Sequence, residues 1–169
     1  MDYSRKKQCN NSQGGANELY VMPYLDYLDS QISVINNVLT LFPFSVIYKI
    51  DAFNINFNID AKHDKDVEYS EKISFQLKKL VESDNFKQFV SRDWRVIVKD
   101  NNSKIRIFGL RNGLIGSYKE DSGTGRADFN GYSFNFEGKE EFSAPYLADL
   151  SNYDINGMIS LQQELQYNL

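Results

Sequence analysis

The stretch FNINFNIDAKHDKDVEYSEKISFQLK, residues 53–78, decides how the chain folds. Phe53, Ile55, Phe57 and Ile59 alternate with Asn54, Asn56 and Asn58. Successive side chains of a strand point to opposite sides, so this period of two predicts a strand with one apolar face and one amide face. The pattern returns after a short acidic link. Val67, Tyr69, Ile73, Phe75 and Leu77 point one way, and Glu68, Ser70, Lys72, Ser74, Gln76 and Lys78 the other. A helix is the rival there, because Tyr69, Ile73, Leu77 and Leu80 also stand three or four apart; Val67 and Phe75 fit the strand better.

Downstream, ESDNFKQFVSRDW changes period. Ser83 or Asp84 can cap a helix by accepting a bond from a free N–H, with Phe86, Phe89 and Val90 as its buried stripe. WRVIVKDNNSKIRIFGL then predicts a β-hairpin turning at Asp100–Asn101–Asn102–Ser103. GLIGSYKEDSGTGRADFNGYSFNFEGKEEF reads as a strand, a glycine-rich connection and a last strand, in which Tyr132, Phe134 and Phe136 alternate with Ser133, Asn135 and Glu137. Upstream, ELYVMPYLDY predicts a first strand with Pro23 marking an edge or bend. ISVINNVLTLF suggests a strand with a turn at Asn36–Asn37, and FSVIYKI another strand. ISLQQEL, near the C-terminus, fits one or two helical turns.

These segments predict a mainly β fold of two packed antiparallel sheets, a sandwich or small barrel, with one short flanking helix. Residues 1–17 read as a flexible N-terminal arm, 18–142 as the β domain and 143–169 as a C-terminal extension. The 169 residues suit one domain, and the eleven Tyr and twelve Phe favour strands. A net charge of −4 argues against a free-standing nucleic-acid binder, though not against a surface past which DNA slides. Cys9 is the single cysteine, which precludes an internal disulfide framework. MDYSRKKQ before it lacks the apolar run of a signal peptide, and no segment approaches the roughly 20 apolar residues of a membrane helix. A soluble protein made in a reducing cytoplasm is the expectation.

The chain offers little for catalysis. Gly123, Gly125 and Gly131 fit neither G-x-G-x-x-G nor a P-loop, and they open a strand, where a phosphate cradle needs them to open a helix. They read as turn or bulge positions. His63, the only histidine, lies among Asp60, Asp64, Asp66 and Glu68, but a mixed charged run between strands is ordinarily a solvated loop. Zinc would want a second His or Cys ligands nearby. No G-x-S-x-G elbow accompanies His63. The expectation is a non-enzyme with no cofactor and no metal. Arg92, Arg95, Lys99, Lys104, Arg106 and Arg111 make the hairpin basic, either as a docking surface for phosphate or an acidic partner, or as charge that protects an exposed edge. The second of these is the simpler reading.

Three of the expected strands carry an almost wholly polar face. Such a face is either plain exposed surface or the hydrated lining of a channel built by several copies. The run from Arg95 to Phe142 resembles the C-terminal half of phage tail-tube proteins, especially those of phages infecting Bacteroidales hosts, including the crAss-like group. The shared features are Gly109-Leu110-Arg111-Asn112-Gly113-Leu114, then Asp128-Phe129-Asn130-Gly131-Tyr132, then Phe134, Phe136, Gly138 and Glu140. CNNSQGGANELYVMPY, residues 9–24, is similar to the start of those proteins. The resemblance implies a virion structural protein of the tail or neck that forms a six-fold ring, hexameric or dodecameric, through which genome DNA passes without specific contact. It implies further copies of this chain and neighbouring ring or portal proteins as partners, and no membrane. Tube proteins of this type end soon after the last strand, whereas here residues 143–169 continue, so a ring used once fits as well as a repeating tube. Candidate channel-facing residues are Asn54, Asn56, Asn58, Glu68, Ser70, Lys72, Ser74 and Gln76. The alternative is a monomeric β-sandwich binding module for carbohydrate or protein, with Trp94 and Tyr118 as its contacts.

Overall fold

The computed structural model describes residues 14–78 and 86–157. Its elements, in chain order, are β1 (Ala16–Pro23), a 3-10 turn at Asp29–Gln31, β2 (Ser33–Ile35), β3 (Val38–Leu41), β4 (Ser45–Ile50), β5 (Phe53–His63), β6 (Val67–Lys78) and α1 (Lys87–Ser91). There follow β7 (Asp93–Asp100), β8 (Ile105–Phe108), β9 (Leu114–Asp121), β10 (Gly131–Glu140), β11 (Tyr146–Leu147) and β12 (Tyr153–Gly157). The fold is mainly β with a single short helix among the described residues.

The expected pair of separate antiparallel sheets is met only in that coarse sense. All twelve strands join one mixed sheet in the order β12-β4-β1-β5-β6-β10-β9-β7-β8-β11-β3-β2. An added pairing of β1 with β7 makes the sheet partly ring-like, because the path β1-β5-β6-β10-β9-β7 returns to β1. Two pairings are parallel, β11 with β3 and β12 with β4; the others are antiparallel. β1 is no edge strand despite Pro23. It pairs with β7 from Ala16 to Pro23 and with β4 on its other side, and Pro23 merely ends it.

Ring closure explains why β1 and β7 are buried on both faces. Leu19 and Val21 of β1, with Trp94, Val96 and Val98 of β7, join one core cluster; Tyr20, Met22 and Ile97 join another. The first cluster takes alternate residues from the ring strands, including Ile55, Ile73, Phe75, Leu77, Phe134 and Phe136, and fills the ring. Its aromatics interlock: Phe75 stacks on Phe134 at 5.0 Å, Phe86 meets Phe134 edge-on at 5.1 Å, and Phe89 lies 4.9 Å from Trp94. Such pairs add about 0.5–1.5 kcal/mol each beyond their buried area. The second cluster lies on the other face of β1 and β7, with Leu39, Ile47, Leu147 and Tyr153.

The local readings hold at the turns. Asn36 and Asn37 take φ of 52° and 62°, the left-handed pair that a two-residue hairpin needs. At the β7–β8 turn, Oδ1 of Asp100 accepts bonds from the N–H groups of Asn102 and Lys104, both at 2.8 Å. The helix is shorter than expected. α1 keeps Phe86 and Phe89 buried, but Val90 is 45% exposed, because five residues make barely more than one turn and present only a narrow stripe. The caps expected at Ser83 or Asp84, the helical turns at ISLQQEL and most of the arm lie outside the described residues. Residues 143–157, expected within an extension, add β11 and β12 to the sheet and place Ala144 in the core.

Candidate functional surface and the buried charges behind it

The eight candidate channel-facing residues stand on one outer face. Asn54, Asn56, Asn58 and Lys72 are exposed, and Glu68, Ser70, Ser74 and Gln76 are half-buried, while Ile55, Ile73, Phe75 and Leu77 are buried behind them. Pairing carries the face across four strands. Asn56 stands beside Ser74, Ser74 beside Asn135, and Asn135 beside Ser117. One step along, Asn58, Lys72, Glu137 and Ile115 form the next row, and Phe53, Gln76, Ser133 and Lys119 another; Phe53, expected on the apolar face, is turned to this side by the register shift that follows it. Nδ2 of Asn54 donates to Oε1 of Gln76 at 2.7 Å, and Nε2 of Gln76 donates to Ser133 at 3.3 Å. Lys139 pairs with Glu68 at 2.8 Å. Lys62, Lys72, Lys78, Lys119 and Lys139 balance Asp60, Glu68, Asp121 and Glu137, so the face is hydrated and close to neutral.

Asn54 departs from simple alternation. Its φ is 51°, and the β5–β6 register shifts between Phe53 and Asn56, the signature of a bulge that bends the strand. Beyond the ring, the β5–β6 hairpin carries both strands out to an exposed tip containing His63, where Val67 is exposed as well. Among the described residues, no three His, Cys, Asp or Glu side chains are grouped to hold a metal.

The glycine-rich connection binds its own carboxylate. Thr124 and Gly125 donate their backbone N–H groups to Oδ2 of Asp128 at 2.9 and 2.7 Å, and the Thr124 hydroxyl donates at 2.7 Å. The donors that a phosphate would need are occupied, and these bonds, led by the Thr124 hydroxyl, hold the Asp128 pKa below its usual value. Gly123 has φ of 67°, and a Cβ on Gly131 would lie 2.1 Å from the Leu77 carbonyl oxygen, so both serve chain geometry.

The basic hairpin is largely consumed inside the fold. Lys99 pairs with Glu18 at 3.1 Å and Arg111 with Asp29 at 2.6 Å. Arg106 donates through Nη2 to the Ala144 carbonyl at 2.8 Å and lies over Tyr146. Arg95 is 1% exposed. Its assignment to a surface patch is therefore wrong, because β7 is covered on both sides. Trp94, named as a contact of the alternative binding module, is 0% exposed and packs on Phe89. Tyr118 is 38% exposed but stacks on Phe134.

Two buried carboxylates behind the polar face are absent from the sequence-based candidates. Glu71, on the inward side of β6, is 1% exposed, and its Oε2 accepts the Gly109 N–H at 2.8 Å while Oε1 has no partner. Burial raises its pKa to about 7, helped by the charge of Glu140 and opposed by the Gly109 bond. Glu140, at the end of β10, accepts the N–H groups of Arg111 and Asn112 at 3.1 and 2.9 Å, and burial raises its pKa too. Together the two acids fasten the loop from Gly109 to Gly113, whose terminal glycines take φ of 67° and 75°. They lie at the foot of a cavity of about 570 Å³ also lined by Tyr69, Leu110, Phe142 and Ala144.

No protein-family model, no curated protein and no solved structure matches this chain.

Proposed function

We propose that the chain is a non-enzymatic subunit of a virion ring, in the tail or neck of a phage, whose channel is lined by the polar face of β5, β6, β10 and β9. The observation that carries this reading is the extent of that face, four paired strands on which Phe53 and Ile115 are the large apolar members among the described residues. A single hydrated side is what a channel wall requires, and near-neutral lysine–carboxylate pairing lets a polyanion pass without being held.

The edges of this sheet support the same reading. β5 has no strand partner on its β1 side beyond Ile55, and β9 none on its β7 side beyond Ile115, among the described residues. Unpaired edges template pairing with another chain. Neighbouring copies would join β5 of one to β9 of the next, pooling their sheets around the channel. In tail-tube-like terms, this four-stranded sheet is one layer, and the strands around β1 and β7 form the second layer packed on it. Partners would be further copies in a hexameric or dodecameric ring and adjoining ring or portal proteins, with DNA as cargo. Sedimentation of the full chain over a range of concentrations, followed by electron microscopy, tests this: closed rings are expected, and a monomer at every concentration refutes it.

A further inference from the structure

Arg95 is the costliest feature that the channel reading leaves unused. Its guanidinium carbon lies 4.2 Å from the ring centre of Tyr24, 5.0 Å from Tyr27 and 5.5 Å from Phe42. Nε donates to the Leu110 carbonyl at 2.9 Å, and buried Nη1 has no partner. None of the ion pairs among the described residues includes it. The charges of Glu140 and Asp26 act on it from a distance, but neither carboxylate makes an ion pair with it; a buried charge without a partner in contact is costly, and a guanidinium does not escape by losing its proton. Aromatic faces offset part of this, but they leave buried Nη1 unsatisfied.

A cavity of about 440 Å³ reaches this side chain and is lined as well by Tyr24, Tyr27, Ile32, Arg111 and Asn112. The acids at its mouth, Asp26, Asp29 and Glu141, are exposed. Asp29 is already paired with Arg111, and charges in water are screened in a way that the buried Arg95 is not. We propose that this cavity binds a carboxylate, received by the Nη end of Arg95 between the tyrosine walls. Two coplanar oxygens match the two outer N–H directions of a guanidinium whose Nε is engaged elsewhere. The carboxylate comes either from a small free acid or from an Asp, Glu or chain end of another copy. The site itself does not depend on ring formation.

The test is a titration of the isotope-labelled full chain with sodium acetate and with succinate at constant ionic strength, using chloride as the reference. The Arg95 side-chain N–H signals should shift and saturate. Thermal stability should rise with them, the folded-to-unfolded ratio increasing about a hundredfold at a ligand concentration of 100 Kd. Arg95→Met, which keeps an apolar stem against the rings, should lose the saturable response, and Lys119→Met should keep it. If Arg95→Met does not fold, the wild-type signals and a crystal grown in acetate decide the matter. Sedimentation with and without acetate separates the sources: acetate disperses the assembly if the carboxylate belongs to a neighbouring copy, and leaves it intact if the ligand is a free acid. Absence of a saturable shift at Arg95, or a structure with Asp26 or Glu141 turned inward onto it, overturns the proposal.

Discussion

Glu71 gives the fold an unusual dependence on pH. Its carboxyl has a pKa of 4.5 in an open chain and about 7 in the fold, where it is buried beside Glu140. The folded chain thus holds this proton more tightly than the unfolded chain. Stability from this group is fully present below about pH 4.5 and is lost as pH rises through about 7. The difference between about 7 and 4.5, at about 1.4 kcal/mol per pKa unit, amounts to about 3 kcal/mol. Glu140 shifts in the same direction, and its charge contributes to the Glu71 shift, so the two titrate as a pair. Glu71→Gln removes the titration while keeping an oxygen for the Gly109 N–H. The variant should resemble wild type at about pH 5 and exceed its stability by up to about 3 kcal/mol at about pH 8.5. Urea unfolding across this range measures it, with an unchanged m-value as the control for compactness. Wild-type stability that stays flat or rises between these limits, or a variant that keeps the wild-type slope, refutes the argument. Asp128 and Asp149 act in a separate window, since their lowered pKa values place their loss of stability at acid pH.

Close packing at two glycines yields a second prediction. A Cβ at position 116 would lie 2.3 Å from the Phe89 carbonyl oxygen, and one at 131 lies 2.1 Å from that of Leu77, so Gly116→Ala and Gly131→Ala should each lose roughly 1–3 kcal/mol in urea unfolding. At the β2–β3 turn, Asn37→Gly should leave the urea midpoint nearly unchanged, whereas Asn37→Val should cost roughly 1–3 kcal/mol for placing a β-branched residue at φ of 62°. On the polar face, Asp60→Lys with Glu137→Lys should change stability by about 1 kcal/mol at most. The same pair should give assembled rings a salt-dependent affinity for DNA that wild-type rings lack, measured by filter binding at several salt concentrations.

Alternation in residues 53–59 and 67–78 made both long strands legible, because beyond the bulge at Asn54 each side chain's parity reports which side of the sheet it faces. Paired asparagines announced the β2–β3 turn for a similarly local reason. The ring was not legible, since β1 meets β7 across some 75 residues of chain and no short-range pattern encodes that pairing. One signal did exist. WRVIV is apolar on both parities except at Arg95, which suits a strand buried on both faces, and on that reading Arg95 becomes an interior charge. Glu71 occupies an inward position between Tyr69 and Ile73, so its parity alone marked it as a buried acid. The cavities beside these groups arise from loops brought together by the closed sheet, and they could not be read from strand periodicity.

The most direct test of the channel is cryo-electron microscopy of the concentrated full chain. The account predicts closed rings in which Asn56, Lys72, Ser74, Asn135 and Glu137 line the opening and β5 of each copy pairs with β9 of the next. Rings that turn this face outward, or particles that remain single copies at every concentration, would contradict it.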